Sequence, residues 1–324
     1  MRVLVTGADG FVGTAVCAAL AERGHHVIAA TRNGARVPDA DEARLLGDLA
    51  QLGDADALVS DAEAIVHLAA RVHVMDDMAA DPLAEYRRVN VAGTRRLAEA
   101  AARRGVGRLV FLSSVKVHGE ATPDRAFTED DAPDPQDAYG RSKWEAEQAL
   151  AEIAARDGLE TVTLRAPLVY GPGVKGNFLS LLTLCDSRRP LPLGGVTKNR
   201  RSLIYVDNLA DAVCTTLEHA NAAGEIFLVS DGLPVSTAVL VRGLRTALGR
   251  PDRLLPVPPR LLRLALATIG RGGAADRLTG SLAVDVSCIR TTIGWRAPWA
   301  LQAGLTATAD WYRHERLTGN AADS

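Results

Sequence analysis

The chain has 324 residues, 47% of them apolar and 23% charged, with a formal net charge of −2. That length can bury a large core without disulfides or metals, and the near-balanced charge gives no electrostatic case for a nucleic-acid or membrane-surface partner. Cys17, Cys185, Cys214 and Cys288 form no CxxC pair and sit in apolar contexts, which argues against a metal cluster or disulfide framework and reads as buried thiols of a reducing cytoplasm.

Met1 runs straight into Arg2–Thr6, which reads as a buried strand with no leader before it. Apolar runs predict further strands at Val27–Thr31, Ala43–Leu46, Ala64–Leu68, Leu109–Ser113 and Thr161–Arg165. Helical periodicity falls near Gly13–Glu22, Asp54–Ser60, Pro82–Arg103 and Ala138–Ala155. Strands alternating with helices imply right-handed crossovers, hence an α/β fold with a doubly wound, mostly parallel sheet covered on both faces. After about Tyr170, Gly and Pro punctuate the chain at Gly171-Pro172-Gly173, Pro190, Pro192 and Gly194-Gly195. We expect a division into residues 1–170 and a smaller interleaved lobe, 171–324, some of whose segments return to the main sheet. Leu261–Gly270 is too short to span a bilayer and carries Arg263, so it reads as a core helix. The polar tail Gly319–Ser324 is expected to fray.

The first strand runs into Thr6-Gly7-Ala8-Asp9-Gly10-Phe11-Val12-Gly13, a GxxGxxG turn opening a helix. Glycines allow a tight turn and close approach of a pyrophosphate, and the helix N-terminus offers free N–H groups and the positive end of its dipole. Coming straight after a buried strand, the turn reads as a Rossmann-like dinucleotide site. The second strand ends at Thr31-Arg32, where an acid would favour NAD. The Arg32 fork suits a 2′-phosphate instead, so NADPH is the expected cofactor, with NADH or NAD as the alternative. Asp48-Leu49 follows the third strand and is placed for the adenine, while Leu68-Ala69-Ala70 ends the fourth beneath the cofactor. His67 reads as structural.

Tyr139 and Lys143 stand at i and i+4 near a helix start, on one face. An ammonium beside a phenol lowers its pKa, so this tyrosine is expected to exchange a proton near neutral pH. Ser114 ends the preceding strand, where parallel strands open onto a ligand crevice, and can donate to a reacting oxygen. Ser113 neighbours it with its side chain turned elsewhere.

These residues resemble the extended short-chain dehydrogenase/reductase family. The likeness spans nearly the whole chain: the glycine turn, Asp48-Leu49, His67-Leu68-Ala69-Ala70, Asn90-Val91-Ala92-Gly93-Thr94, Ser113-Ser114, Tyr139/Lys143 and Arg165 through Tyr170-Gly171-Pro172-Gly173. It implies catalytic roles for Ser114, Tyr139 and Lys143, with support from Asn90. The implied cofactor contacts add Pro167 to Gly7, Asp9, Gly10, Phe11, Val12, Gly13, Thr31, Arg32, Asp48, Leu49, Leu68, Ala69, Ala70, Asn90, Tyr139 and Lys143. It further implies a C-terminal lobe binding a nucleoside diphosphate sugar, with Arg201 and Arg277 on the diphosphate, Leu193 at the nucleobase, Asn177 opening a substrate-side helix, and Ser113 and Lys116 near the sugar. A cytoplasmic homodimer through the helices at Asp81–Arg104 and Ala138–Ala155 is a family expectation. No metal is expected.

Family 4,6-dehydratases carry an Asp-Glu pair after the serine; here stand Val115-Lys116, which disfavours dehydration. His118 stands where many 4-epimerases carry tyrosine. With Gly171–Phe178 and Pro190–Gly194, the segment Ser113–Val117 resembles a polysaccharide-synthesis subgroup that reduces the C4 ketone of UDP-4-keto-6-deoxy-HexNAc sugars. The leading expectation is therefore a UDP-sugar 4-ketoreductase. The alternatives are a UDP-hexose 4-epimerase holding its NAD tightly and, ranked below both, a non-catalytic NADP-binding sensor.

Overall fold

The computed structural model describes residues 1–72, 81–122, 124–268, 270 and 272–322, with side chains to Leu317. Seven strands form one parallel sheet: β1 (Arg2–Thr6), β2 (His26–Thr31), β3 (Glu42–Leu45), β4 (Ala64–His67), β5 (Arg108–Ser114), β6 (Glu160–Ala166) and β9 (Ile226–Leu228). Their order is β3-β2-β1-β4-β5-β6-β9, and every pairing is parallel. The chain reverses its winding direction between β1 and β4, the switch point at which open α/β sheets leave a crevice beyond the strands' carboxyl ends. A second, two-stranded parallel sheet pairs β7 (Leu168–Tyr170) with β8 (Leu203–Tyr205).

The central strands are buried on both faces, as their uninterrupted apolar runs require. Val3, Val5, Val27, Ala29, Val66, Val110 and Val162 pack with the helices Phe11–Glu22 and Val206–Glu218 on one face. Leu4, Ile28, Ile65, Leu109 and Phe111 face Leu97, Ala101, Leu150 and Ile153 on the other. A third cluster, around Tyr170, Phe178, Leu193, Tyr205, Leu244 and Leu305, lies in the later half of the chain. The late strand β9 closes the main sheet beside β6.

Two expectations need correction. The segment Pro82–Arg103 is not one regular helix: α-helix covers Pro82–Tyr86 and Gly93–Arg103, and Arg87–Ala92 between them forms a π-helical turn. Such turns concentrate at functional sites because they re-aim a side chain, and this one carries Asn90. The stretch Leu261–Gly270 is no core helix. It lies in a surface helix, Pro259–Thr268, with only Leu262 buried and Leu261 and Leu264 57% and 63% exposed. The strands β7, β8 and β9 are three residues each.

Candidate active site

The glycine turn lies at the switch point. Gly7 adopts φ +70°, and a Cβ there would stand 2.9 Å from the Ala69 nitrogen, so the turn after β1 touches the segment after β4. Gly13, inside the first helical turn, has still less room: a Cβ would fall 2.1 Å from the Gly7 carbonyl oxygen. Gly10 caps the helix Phe11–Glu22 without any side-chain hydrogen bond, and no acid occupies its first turn. The leading N–H groups and the positive end of the helix dipole are thus left for an anionic ligand. A dinucleotide pyrophosphate fits this cradle.

Around the turn stand the other residues expected at the cofactor. Thr31 ends β2 buried, and Arg32 follows it exposed. Asp48 caps the short helical turn Leu49–Gln51, accepting from the Ala50 N–H at 3.0 Å, and pairs with Arg88 at 3.3 Å. Those partners hold its carboxyl below the usual range. Leu49 is buried and Asp9 exposed, while Phe11, Val12, Leu68, Ala69 and Ala70 are partly covered. Pro167 is buried between β6 and β7. His67 bridges Thr6 (2.7 Å) and Thr94 (2.9 Å), and burial, with Lys143 beside it, pushes its pKa down to about 3. A permanently neutral, doubly bonded imidazole is a structural strut.

Ser114, Tyr139 and Lys143 converge at the carboxyl end of β5. Ser114 is its last residue, and its hydroxyl accepts from the Lys116 N–H at 3.2 Å. Tyr139 sits in the first turn of the helix Ala138–Asp157, which Asp137 caps by accepting from the Gly140 N–H at 2.6 Å. Burial, with Asp137 and Tyr86 nearby, drives the phenol's pKa up, opposed by the Ser114 hydroxyl, which favours the ionised form. One turn on, the Lys143 ammonium donates to the Leu112 carbonyl at 2.8 Å and lies 4.5 Å above the Phe111 ring. Burial pushes Lys143 down to about 7, opposed by Glu147. Desolvation thus raises the Tyr139 phenol and lowers the Lys143 ammonium, the opposite of the cation-lowered phenol expected from their spacing.

Asn90 ties the site together. Its amide donates to the Ser142 hydroxyl (2.9 Å) and the Arg71 carbonyl (3.0 Å), and its oxygen accepts from the Arg71 N–H (2.8 Å). It thereby links the segment after β4 to the helix bearing Tyr139 and Lys143.

Beneath that helix lies a network that sequence reasoning missed. Glu147, one turn beyond Lys143, accepts from Arg165 Nη2 at 2.6 Å and Nε at 3.1 Å, and from the Ser113 hydroxyl. Arg165 Nη1 stands 2.8 Å from His118 Nε2. Both charged side chains are 5% exposed. Burial and the Arg165 charge hold His118 neutral, down to about 4. Ser113 is thus engaged by Glu147. The signal was available: an i+4 repeat from Lys143 to Glu147 puts a carboxylate on the buried face, opposite an arginine in a buried strand.

The substrate-side expectations fare unevenly. Lys116 is tied to Asp137 (2.6 Å) and Glu120 (2.8 Å). Leu193 is buried in the third core cluster. Asn177 is exposed in the first turn of the helix Gly176–Asp186, and Arg277 is exposed on the helix Gly272–Thr279. Arg201 lines a cavity of about 430 Å³ with Leu203, Leu233, Val235 and Arg290. Burial lowers its pKa, and no ion pair among the described residues engages it. Among the described residues no cluster of His, Cys, Asp or Glu is placed to hold a metal, and no helix is long and apolar enough to cross a membrane.

Residues 3–230 match the NAD dependent epimerase/dehydratase family. The chain belongs to that family. It is 43% identical over 308 residues to a UDP-glucose 4-epimerase of Vibrio cholerae, covering 95% of this chain and 94% of that protein. It is 27% identical over 329 residues to an N-acetyl-α-D-glucosaminyl-diphospho-ditrans,octacis-undecaprenol 4-epimerase of Escherichia coli O157:H7, covering 95% and 94%. Among solved structures it resembles MoeE5 in complex with UDP-glucose and NAD: TM-score 0.76, 28% identity, 98% and 100% coverage. As a family member the chain is a nicotinamide-dependent enzyme of the epimerase/dehydratase type on a Rossmann-like sheet.

Proposed function

We propose that the protein is a UDP-hexose 4-epimerase, inverting C4 of a UDP-sugar through a transient 4-keto sugar. The observation that carries this reading is the convergence of Ser114, Tyr139 and Lys143 on the end of β5, beside a glycine turn suited to a dinucleotide. The 43% identity to an epimerase over almost the whole chain moves the balance from the ketoreductase expectation to this one.

A bound nicotinamide dinucleotide would supply reversible hydride transfer at C4. The chain's own residues handle the proton. Tyr139, held protonated by burial, is the donor needed when the C4 oxygen regains its proton. Taking that proton in the first half-reaction requires positive charge beside the phenol, and Lys143, one helical turn away, can bring it. Ser114 shares the reacting oxygen with Tyr139 and keeps it polarised. Arg201 would neutralise the diphosphate with forked hydrogen bonds.

One feature favours a second reading, net ketoreduction with NADPH: Arg32 stands exposed at the end of β2, where an acid would suit NAD. One experiment separates the two. Purified protein is given UDP-glucose without cofactor, and in parallel a UDP-4-keto-6-deoxy sugar with NADPH. UDP-galactose in the first tube, with NAD released on denaturation, supports the epimerase. NADPH consumption in the second, with nothing in the first, replaces it with the reductase. Tyr139→Phe should abolish turnover in either case and spare cofactor binding; a near-normal rate refutes its role.

A further inference from the structure

The surface helix Pro259–Thr268 exposes two leucines to solvent outside the site. Leu262 and Leu266 pack inward against the third core cluster, while Leu261 and Leu264, three residues apart and so on one face, point to solvent. Leu255, in the segment leading into the helix, is 49% exposed as well. Scattered surface leucines are ordinary, but these share their surface with arginines. Arg253, Arg260 and Arg263 fall within residues 253–268, a stretch with no acid, although the whole chain carries net charge −2. Arg260 and Arg263 are exposed on the same helix; Arg263 Nε donates to the Thr279 hydroxyl at 2.7 Å, and no ion pair among the described residues engages Arg253, Arg260 or Arg263. Net charge, averaged over 324 residues, hides this patch.

We propose that this face of the helix docks on an anionic lipid bilayer, the leucines entering the boundary between headgroups and acyl chains while Arg260 and Arg263 meet lipid phosphates. A short helix with leucines and arginines outward and a core-packed inner face is built for the interface plane, and basic residues there are attracted by anionic headgroups. Charge complementarity decides against a second copy of the chain: a two-fold contact would set the arginines of one face against those of the other. Pro259, at the helix start, also lines a cavity of about 430 Å³ with Gly195, Lys198, Asn199, Thr279 and Ser281. Docking would hold that cavity beside the bilayer.

The test is vesicle flotation with the full-length protein, using phosphatidylcholine alone and phosphatidylcholine containing phosphatidylglycerol. The anionic vesicles should carry about tenfold more protein, and high salt should reduce the difference. Leu261→Asp/Leu264→Asp and Arg260→Glu/Arg263→Glu should each lose that enrichment with an unchanged melting temperature. Leu45→Asp, at a position 69% exposed on β3, should retain it. The proposal is overturned if the unaltered protein does not float with anionic vesicles, or if flotation survives both double substitutions. It is equally overturned if the leucine substitutions instead convert a dimer to a monomer by light scattering, which would make the face a self-association surface.

Discussion

Neutralising Glu147 tests whether the buried network under the Tyr139 helix holds that helix in place. Glu147→Gln keeps the side chain's shape but removes the only carboxylate bonded to Arg165 among the described residues. At 2.6 Å and an effective dielectric of about 20, the pair's attraction is about 6 kcal/mol, part of which offsets the desolvation of two side chains that are each 5% exposed. Arg165 cannot shed its proton, and its other side-chain partner, His118, is a neutral imidazole. The substitution therefore strands a buried cation, and the expected loss is about 3–5 kcal/mol. Arg165→Met should cost a similar amount, and the Glu147→Gln/Arg165→Met double variant clearly less than the two singles added, by at least about 2 kcal/mol. Urea unfolding followed by tryptophan fluorescence measures all four corners of the cycle. A loss below about 1 kcal/mol for Glu147→Gln, or a double variant equal to the sum of the singles, refutes the coupling.

Three further outcomes follow from the same geometry. Burial places the Lys143 pKa near 7, so selectively ¹³C-labelled lysine should show one resonance titrating near neutrality, absent in Lys143→Met and shifted lower in Glu147→Gln; if every lysine midpoint stays near its ordinary value, the burial argument fails. His67 and His118 are held neutral down to about 3 and about 4, while unfolded imidazoles take up protons near pH 6.5. Between about pH 6.5 and 4 the unfolded chain thus binds up to two extra protons, and stability should fall with falling pH by up to about 2.7 kcal/mol per unit; urea midpoints that do not move between pH 7 and pH 5 contradict this. Gly13→Ala forces a Cβ to 2.1 Å from a backbone oxygen, so it should cost about 1–3 kcal/mol and weaken dinucleotide binding in calorimetry, whereas Gly53→Ala, whose Cβ meets nothing, should leave binding alone; equal affinities would show that the turn yields freely.

How far the sequence alone carries depends on whether a feature is local. The six main-sheet strands expected from the sequence appear within a residue or so of their expected ends; five are largely buried on both faces and so are apolar for most of their length, whereas the edge strand β3 is half exposed. The glycine turn and the Tyr139–Lys143 spacing were equally legible, each resting on backbone geometry over a few neighbouring positions. What escaped is non-local. Ser113, next to Ser114, faces Glu147 because alternate residues of β5 point to opposite faces; spacing alone shows that the two serines part, not which partner each finds. The Tyr139 phenol illustrates the same limit in electrostatics. A lysine at i+4 suggests a lowered pKa, yet desolvation depends on everything packed around the pair, and it raises the phenol and lowers the ammonium together. A helix of alternating leucines and arginines reads as core or surface only when its neighbours are known: Leu262 meets the third core cluster, and Leu261, one position away, meets none. The sign of the shift at Tyr139 is thus set by everything packed around the pair, and not by the lysine one turn away alone.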